Sequence, residues 1–341
     1  MKTVTEACIP HQGLIDGTLN LEVFTVALGP VIDFYHQKGT ANIDKVYTDA
    51  EIFFREATYP TDGLKQLVGN VFRRIDGDMT ADSVMKLETA FGGGKTHSLI
   101  SCVHIAYRGK EIEEATKGII DSAYLPEPGT VSVVGIAGDE LPVRKTQGDK
   151  LSPYTIWGEM ALQLGGEALY QEVKAEAESY ASPGKAFFEK VLGARKVILM
   201  FDELAQYASR LDVVLPGQGA DQLSAFLMAL NNYAQNHTGI AVIVTLASAK
   251  DAFAKQTEAL SQKLNEIVGT SKYTKSDAEA IAQRANKSAS SVISRSAKVV
   301  TPVQASEIAH ILAKRLFTSI DMSVAQEVSR AYGDIDRKSV V

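Results

Sequence analysis

Four short runs of apolar residues along the middle of the chain predict buried strands. The runs span residues 83–88, 130–138, 196–203 and 239–248. They are apolar almost throughout rather than at alternate positions, and a strand of this kind is buried on both faces. The segments between them carry apolar residues at three- and four-residue spacing, which predicts helices. Together they predict an α/β fold with a mainly parallel sheet flanked by helices.

Helical spacing also dominates the first 80 residues. One predicted helix, in residues 21–37, is broken at Gly29-Pro30. A second begins after a turn at 60–63 and repeats apolar residues along one face: Leu64, Leu67, Val68, Val71, Phe72 and Ile75. Three further predictions are a helix from Thr96 to Gly109, two helices that meet at Gly165-Gly166, and a helix over 219–236.

The chain turns polar after the fourth strand. Residues 250–296 are rich in Ser, Ala, Lys and Thr, which predicts a helix or an exposed loop outside the core. A helical pattern returns from Thr301, with apolar residues on one face: Ile308, Ile311, Leu312 and Leu316.

Composition narrows the class of protein. The chain has 341 residues, a net charge of −6 and two cysteines, Cys8 and Cys102, which excludes a disulfide framework and a paired-cysteine metal motif. No apolar run approaches the roughly 18 to 20 residues that span a bilayer, and the N-terminus lacks the apolar stretch of a signal peptide. We therefore expect a cytoplasmic protein without membrane contact. The acidic charge gives no support for nucleic acid binding across the whole surface.

The stretch KLETAFGGGKTHSLI, residues 86–100, carries the first chemical signal. Gly94, Lys95 and Thr96 match the end of the P-loop pattern G-x-x-x-x-G-K-[ST], although its first glycine falls on Thr89.

Consecutive glycines, here Gly92, Gly93 and Gly94, let a row of backbone N–H groups surround a phosphate. Lys95 would reach the β- and γ-phosphates of ATP, and the Thr96 hydroxyl would coordinate Mg²⁺. His97 would lie near the phosphates or serve packing or capping. The alternative for the whole stretch is a flexible turn before a helix.

A second signal is the apolar run that ends at Asp202-Glu203, about a hundred residues after Lys95. This is the position of a Walker B motif. Asp202 would hold Mg²⁺ through its water shell, and Glu203 would act as general base on the attacking water. The alternative is a buried strand that happens to end in acids. A water-activating glutamate favours hydrolysis over phosphoryl transfer to a small substrate.

Two further roles are predicted by position. Thr245, or alternatively Ser248, would sense the γ-phosphate from the end of the next strand; a strand residue bonded to its neighbour is the other interpretation. Arg295, or alternatively Arg315, would reach the γ-phosphate of a neighbouring subunit in an oligomer. A solvated arginine is the competing interpretation for each.

Four stretches together resemble one family: LETAFGGGKTH, TIWGEMALQLGG, VILMFDELAQYA and YPTDGLKQL. They resemble the N-terminal part of large AAA+-type ATPases of bacteria and archaea, which are catalogued mainly as a domain of unknown function. These proteins look like distant relatives of the ATPase of BREX phage-defence systems. The likeness covers most of residues 40–320, and the family's TAFGGGKTH form also lacks the first P-loop glycine.

The resemblance implies an ATPase that drives or gates work on DNA or on a partner complex. By motif it carries over Lys95, Thr96, Asp202 and Glu203, but no DNA-contacting residue. The resemblance also implies a homo-oligomer. The genes of such proteins often neighbour those of DNA methyltransferases and helicases in phage-defence islands, so DNA, a methyltransferase and a helicase are the expected partners.

We expect a helical N-terminal segment over 1–80, a P-loop ATPase core over 81–300 and the start of a helical lid over 301–335. Members of the family are usually longer, so we expect the lid to be truncated. Residues 336–341 read as one frame of a common sequencing-library adapter, which predicts a non-native tail.

The function predicted from the sequence is ATP binding and Mg²⁺-dependent hydrolysis that powers or gates a DNA-directed phage-defence complex. The alternative is a nucleotide-gated binding module with little turnover.

Overall fold

A five-stranded parallel sheet forms the centre of the molecule. The computed structural model describes residues 7–17, 27–36, 43–88, 94–147, 150–245, 253–324, 326, 327 and 330. Its strands are β1 (Cys8–Pro10), β2 (Val84–Leu87), β3 (Ser132–Ala137), β4 (Arg144–Gln147), β5 (Lys150–Pro153), β6 (Val197–Asp202), β7 (Ile240–Thr245), β8 (Lys298–Val300) and β9 (Phe317–Ile320).

Its α-helices surround this sheet. They are α1 (Gln12–Ile15), α2 (Leu28–Tyr35), α3 (Lys45–Thr48), α4 (Ala50–Ile52), α5 (Asp62–Asp76), α6 (Lys95–Arg108), α7 (Ile156–Glu172), α8 (Lys174–Ala177), α9 (Lys185–Val191), α10 (Leu204–Val214), α11 (Gly219–Asn236), α12 (Phe253–Val268), α13 (Lys275–Ile293) and α14 (Ile308–Leu316). A π-helical turn, Phe53–Ala57, follows α4.

The sheet order is β3-β6-β7-β2-β8, and every neighbouring pair is parallel. This confirms the predicted α/β fold with its four apolar strands. The fifth strand, β8, was not predicted because its three residues are too few for a pattern. Since all five strands run the same way, their carboxyl ends meet at one edge of the sheet. Two antiparallel pairs, β1-β9 and β4-β5, lie outside the main sheet.

Helices cover both faces of the sheet, which explains the continuous apolar strands. Along β6, Val197, Leu199 and Phe201 pack into the core on one face, which α7, α9, α10 and α11 share. Ile198 and Met200 point to the other face and pack with α2, α5 and α6. All five side chains are fully buried, so alternation could not appear in the sequence.

Helix α5 has a capping residue at each end, and it begins at Asp62, inside the stretch that was predicted to be the turn before it. The Thr61 hydroxyl accepts from the Leu64 N–H at 3.1 Å, and Gly77 ends the helix in the left-handed conformation. Gly63 allows a close approach, because a Cβ there would lie 1.9 Å from the Thr301 carbonyl oxygen. The Thr61 hydroxyl also donates to the Pro302 carbonyl at 2.6 Å. The N-terminal segment therefore packs directly on the segment that follows β8.

Helix interruptions were predicted at two glycine positions. The predicted junction at Gly165-Gly166 is confirmed, since Gly166 breaks the helical geometry of α7 with φ 62° and ψ −158°. The interruption predicted at Gly29-Pro30 lies two residues earlier, because Ala27 is extended and α2 begins at Leu28, which puts Gly29 and Pro30 in its first turn. Proline is tolerated there because the first-turn N–H groups have no partner within the helix. Residues 18–26 lie outside the described residues.

The polar segment 250–296 contributes to the core, contrary to prediction. It forms α12 and α13, and α13 buries one face made of Ala278, Ala282, Ala285, Ala289 and Ile293. These side chains, four of which are alanine, recur at helical spacing and pack against α10 and α11. Their burial was hidden because alanine counted as neutral among the polar residues around it.

No helix among the described ranges is both long enough and apolar enough to cross a membrane.

Candidate functional site

Strands β6 and β7 bring two predicted residues together at the carboxyl edge of the sheet. The register pairs Phe201 with Val244, which places Asp202 beside Thr245. The Thr245 hydroxyl is fully buried and donates a hydrogen bond to Asp202 Oδ1. Strand β7 lies between β6 and β2, so Thr245 lies between the end of β6, at Asp202, and β2, the strand that precedes Lys95 in the chain.

Helix α6 begins at this same edge. Gly94 precedes it with φ 90° and ψ −10°, a conformation that favours glycine, and Lys95 and Thr96 lie in its first turn. The Val303 side chain occupies the space beside Gly94, where a Cβ would meet Cγ2 at 2.6 Å. The first turn of a helix presents unpaired N–H groups and partial positive charge, which suits an anion. Gly92 and Gly93 lie outside the described residues.

Electrostatics link Lys95 to both acids. Burial raises the pKa of Asp202, and the Thr245 hydrogen bond and the Lys95 charge oppose that rise. Burial raises the pKa of Glu203 as well, and the Asp202 charge raises it further. The Lys95 charge again opposes the rise. The cation and the two carboxylates therefore share one environment, and a further positive charge near the acids would stabilise their ionised forms.

Glu203 has an unusual backbone. Its φ of 51° and ψ of 34° are left-handed, and it is the one non-glycine residue with positive φ among the described residues. Gly138 packs against it so closely that a Cβ would lie 2.5 Å from the Glu203 carbonyl oxygen. The Gly138 N–H also donates to the Asp202 carbonyl at 2.7 Å. A left-handed non-glycine residue costs about 1 kcal/mol or more and persists where neighbours fix it.

Asp139 is a site residue that the sequence reasoning missed. Its charge raises the pKa of both Asp202 and Glu203. Arg210 Nη1 and Lys263 Nζ donate to its main-chain carbonyl at 3.0 and 2.7 Å. A carboxylate close to the end of a buried strand was the available signal, since Asp139 lies two residues after β3 and Asp202 ends β6. No group of three or more His, Cys, Asp or Glu side chains in the described ranges is close enough to hold a metal ion alone.

A cavity of about 520 Å³ opens beside the first turn of α6. Three stretches line it: the N-terminal segment, residues 94–98, and the segment after β8. The last of these contributes Ile308 and Leu312, which are apolar and about half exposed. At the N-terminal wall, Tyr59 stacks on His310 with ring centroids 5.4 Å apart. The cavity thus joins an apolar region to a helix N-terminus.

The model of the DUF499 N-terminal domain matches residues 31–276. The chain belongs to the DUF499 N-terminal domain family. No curated protein and no solved structure matches the chain. The matched range contains Lys95, Thr96, Asp202, Glu203 and Thr245, so the family region supplies the whole polar cluster. The cavity wall formed by the segment after β8 lies beyond that range.

Two other predicted residues of this DUF499 chain take different places. His97 lines the cavity, yet both ring nitrogens face protein groups: Nε2 is 3.0 Å from the Thr58 hydroxyl and Nδ1 is 3.3 Å from Arg315 Nη2. Burial, helped by the Arg315 and His104 charges, lowers the pKa of His97 to about 3. Arg315 thus lies in the chain's own cavity, and burial lowers its pKa too.

Arg295 does not join the cluster. It is exposed in the turn before β8, whose first residue, Lys298, pairs with Met85 near the start of β2. That is the amino edge of the sheet, opposite Lys95. Its predicted role concerns a neighbouring subunit and stays a prediction. Ser248 and residues 336–341 lie outside the described residues.

Proposed function

We propose that the chain binds ATP with Mg²⁺ and hydrolyses it, as a P-loop ATPase of AAA+ type. The observation that carries the proposal is the meeting of four groups at one sheet edge: the α6 N-terminus with Lys95, the Asp202–Thr245 pair, and Glu203. A helix N-terminus with a lysine suits phosphate, and a buried acid beside a hydroxyl suits its metal ion.

The phosphates would lie over the first turn of α6. The Gly92, Gly93 and Gly94 amides would surround them, and Lys95 would neutralise the β- and γ-phosphates. The Thr96 hydroxyl and the Asp202 carboxylate are oxygen donors of the kind Mg²⁺ prefers. Bound Mg²⁺ supplies charge neutralisation at the phosphates. Thr245, held against Asp202, would report the γ-phosphate.

Glu203 would accept the proton of the attacking water. Its pKa is raised by burial and by the Asp202 charge, so the carboxylate is a stronger base than one in open water. Lys95 opposes that rise and so favours the ionised form. Asp139 adds a further negative charge to the same region.

The cavity would receive the base and ribose. Its volume falls within the usual range of ligand sites, roughly 300 to 1,000 Å³, and its apolar side chains Ile308 and Leu312 would be covered by the base. Arg315 would bring positive charge towards the phosphates from the same subunit. Arg295 is kept as the proposed contact to a neighbouring subunit.

The work done by hydrolysis is proposed from the family resemblance. By this resemblance, a homo-oligomer in the cytoplasm would power or gate a DNA-directed phage-defence complex, with a methyltransferase and a helicase as partners. A nucleotide-gated binding module is the second candidate. Both candidates use the same ATP site and differ in whether Glu203 activates water there.

Steady-state MgATP hydrolysis separates the two candidates. We expect Glu203→Gln to bind ATP like the wild type and to lower turnover by about 10² to 10⁴. Glu172→Gln, an exposed glutamate at the end of α7, is the matched control and should leave turnover unchanged. Wild-type binding with turnover no higher than that of Glu203→Gln would leave only the binding module. An absence of binding would refute both.

A further inference from the structure

Three segments far apart in sequence meet at His97. We call this contact the His97 junction and define it as His97 of α6, Arg315 of α14, and Phe53, Ala57 and Thr58 of the N-terminal segment. Each of the three segments also lines the candidate nucleotide cavity.

The donors and acceptors of the junction's hydrogen bonds can be assigned in one consistent way. Arginine can only donate, so Arg315 Nη2 donates to His97 Nδ1 at 3.3 Å. The proton of the neutral ring therefore lies on Nε2, which faces the Thr58 hydroxyl at 3.0 Å. The Thr58 hydroxyl donates in turn to the Phe53 carbonyl at 2.8 Å. His97 thus uses both nitrogens, one as acceptor and one as donor.

The π-helical turn Phe53–Ala57 is shaped for this contact. The carbonyl of Phe53, its first residue, accepts from the Thr58 hydroxyl. The carbonyl of Ala57, its last residue, accepts from Arg315 Nε at 3.4 Å. The Phe53 ring also stacks on His97 with centroids 4.4 Å apart and a 25° interplanar angle. Single π-helical turns are rare and frequent at functional sites.

We propose that His97 is a positioning residue for the nucleotide site: its two hydrogen bonds fix Arg315 beside the first turn of α6 and tie the N-terminal segment to the same point. The inference rests on the proposed ATP site and extends it. His97 acts through Arg315 and does not contact phosphate, because both its nitrogens are already occupied. The Arg315 guanidinium, held by Ala57 and His97, faces the cavity that contains Lys95.

The alternative is that His97 only fills space against Phe53. Two substitutions separate these roles. His97→Phe keeps an aromatic ring on Phe53 but has neither hydrogen bond. His97→Gln loses the ring but keeps one donor and one acceptor at similar reach.

The experiment measures MgATP affinity and turnover for the wild type, His97→Phe, His97→Gln, Arg315→Ala and the double variant His97→Phe/Arg315→Ala. We expect His97→Phe to lower turnover about tenfold and His97→Gln to stay within about threefold of the wild type. We also expect the double variant to match Arg315→Ala alone, because residues that act as one unit are not additive. Thermal unfolding verifies that each variant is folded, and Thr58→Val replaces His97→Phe if that variant does not fold, with the same expected loss.

The outcomes distinguish this inference from the proposed function. Three results in an active wild type would overturn the positioning role and leave the ATPase intact. In the first, His97→Phe is as active as the wild type; in the second, only His97→Gln loses activity. In the third, the loss in the double variant is the product of the losses in the two single variants. A wild type that neither binds nor hydrolyses MgATP would overturn both.

Discussion

Gly94 and Glu203 immediately precede the two helices that flank the candidate site, and both have positive φ, at 90° and 51°. Glycine adopts this conformation freely, whereas glutamate does not. The close packing of Gly138 on Glu203 fixes the strained residue. A side chain that the fold holds at such a cost has a stable direction, which suits a group that must align one water molecule.

Individual site residues could be predicted where strand ends and glycines gave a local signal. Lys95, Thr96, Asp202, Glu203 and Thr245 were named in this way, and the described geometry brings them to one edge. Asp139 and the cavity position of Arg315 were not foreseen. Both depend on which strands and helices are neighbours in space, and no local pattern encodes that.

His104 predicts an acid-sensitive stability. Its ring is buried on α6, with Nδ1 2.6 Å from the Tyr35 hydroxyl and Nε2 without a partner in the described part of the chain. Burial, then the Arg108 charge, lowers its pKa to about 3, while Asp49 opposes the shift. The unfolded state, with a histidine pKa near 6.5, binds the proton more readily than the native state.

The stability contribution of His104 is therefore fully present above about pH 6.5 and is lost as pH falls towards 3. Relative to a His104→Phe variant, the wild-type free energy of unfolding should fall by up to about 1.4 kcal/mol per pH unit in this window. Urea unfolding of both proteins at several pH values measures it. A difference that does not change between pH 7 and pH 4 would contradict the buried neutral histidine.

Among the elements, α5 and the segment after β8 form the contact that closes one side of the cavity. Gly63 permits this contact, because a Cβ there would overlap the Thr301 carbonyl oxygen. Gly69, six residues later on the same helix, has no atom within 4 Å of the position of a Cβ. The two glycines form a matched pair for testing the contact.

We expect Gly63→Ala to displace residues 301–303, to destabilise the chain by about 1 to 3 kcal/mol and to weaken MgATP binding. Gly69→Ala should instead stabilise it by up to about 1 kcal/mol, since alanine is the better helix former. Thermal unfolding and ATP titration of both variants measure the effects. Equal unfolding temperatures for the two variants would show that the contact is unimportant.

Elements were predictable where their composition was extreme. The four buried strands consist almost wholly of large apolar residues, so they were found. Strand β8 has only three residues and depends on its neighbour β2 for its conformation. The buried face of α13 was missed because alanine is common both in cores and on exposed helices.

At the scale of the whole molecule, the parallel sheet explains how the site is assembled. Because β7 lies between β2 and β6, residues from three distant stretches meet at one edge. The cavity adds the N-terminal segment and the segment after β8, which pack together through Thr61 and Pro302. The sequence indicated the sheet and its polar edge, but the cavity arises from a contact between stretches some 240 residues apart.

Binding of MgATP by the wild type and by Lys95→Ala, measured by titration calorimetry, tests the central claim most directly. Lys95 lies in the first turn of α6 beside Asp202 and Glu203, so its removal should weaken binding at least about tenfold through the lost charge-assisted contact. Lys117→Ala, which removes an exposed lysine away from the cavity, should bind like the wild type. Equal affinity of Lys95→Ala and the wild type, or no heat of binding from the wild type, would contradict the proposed nucleotide site.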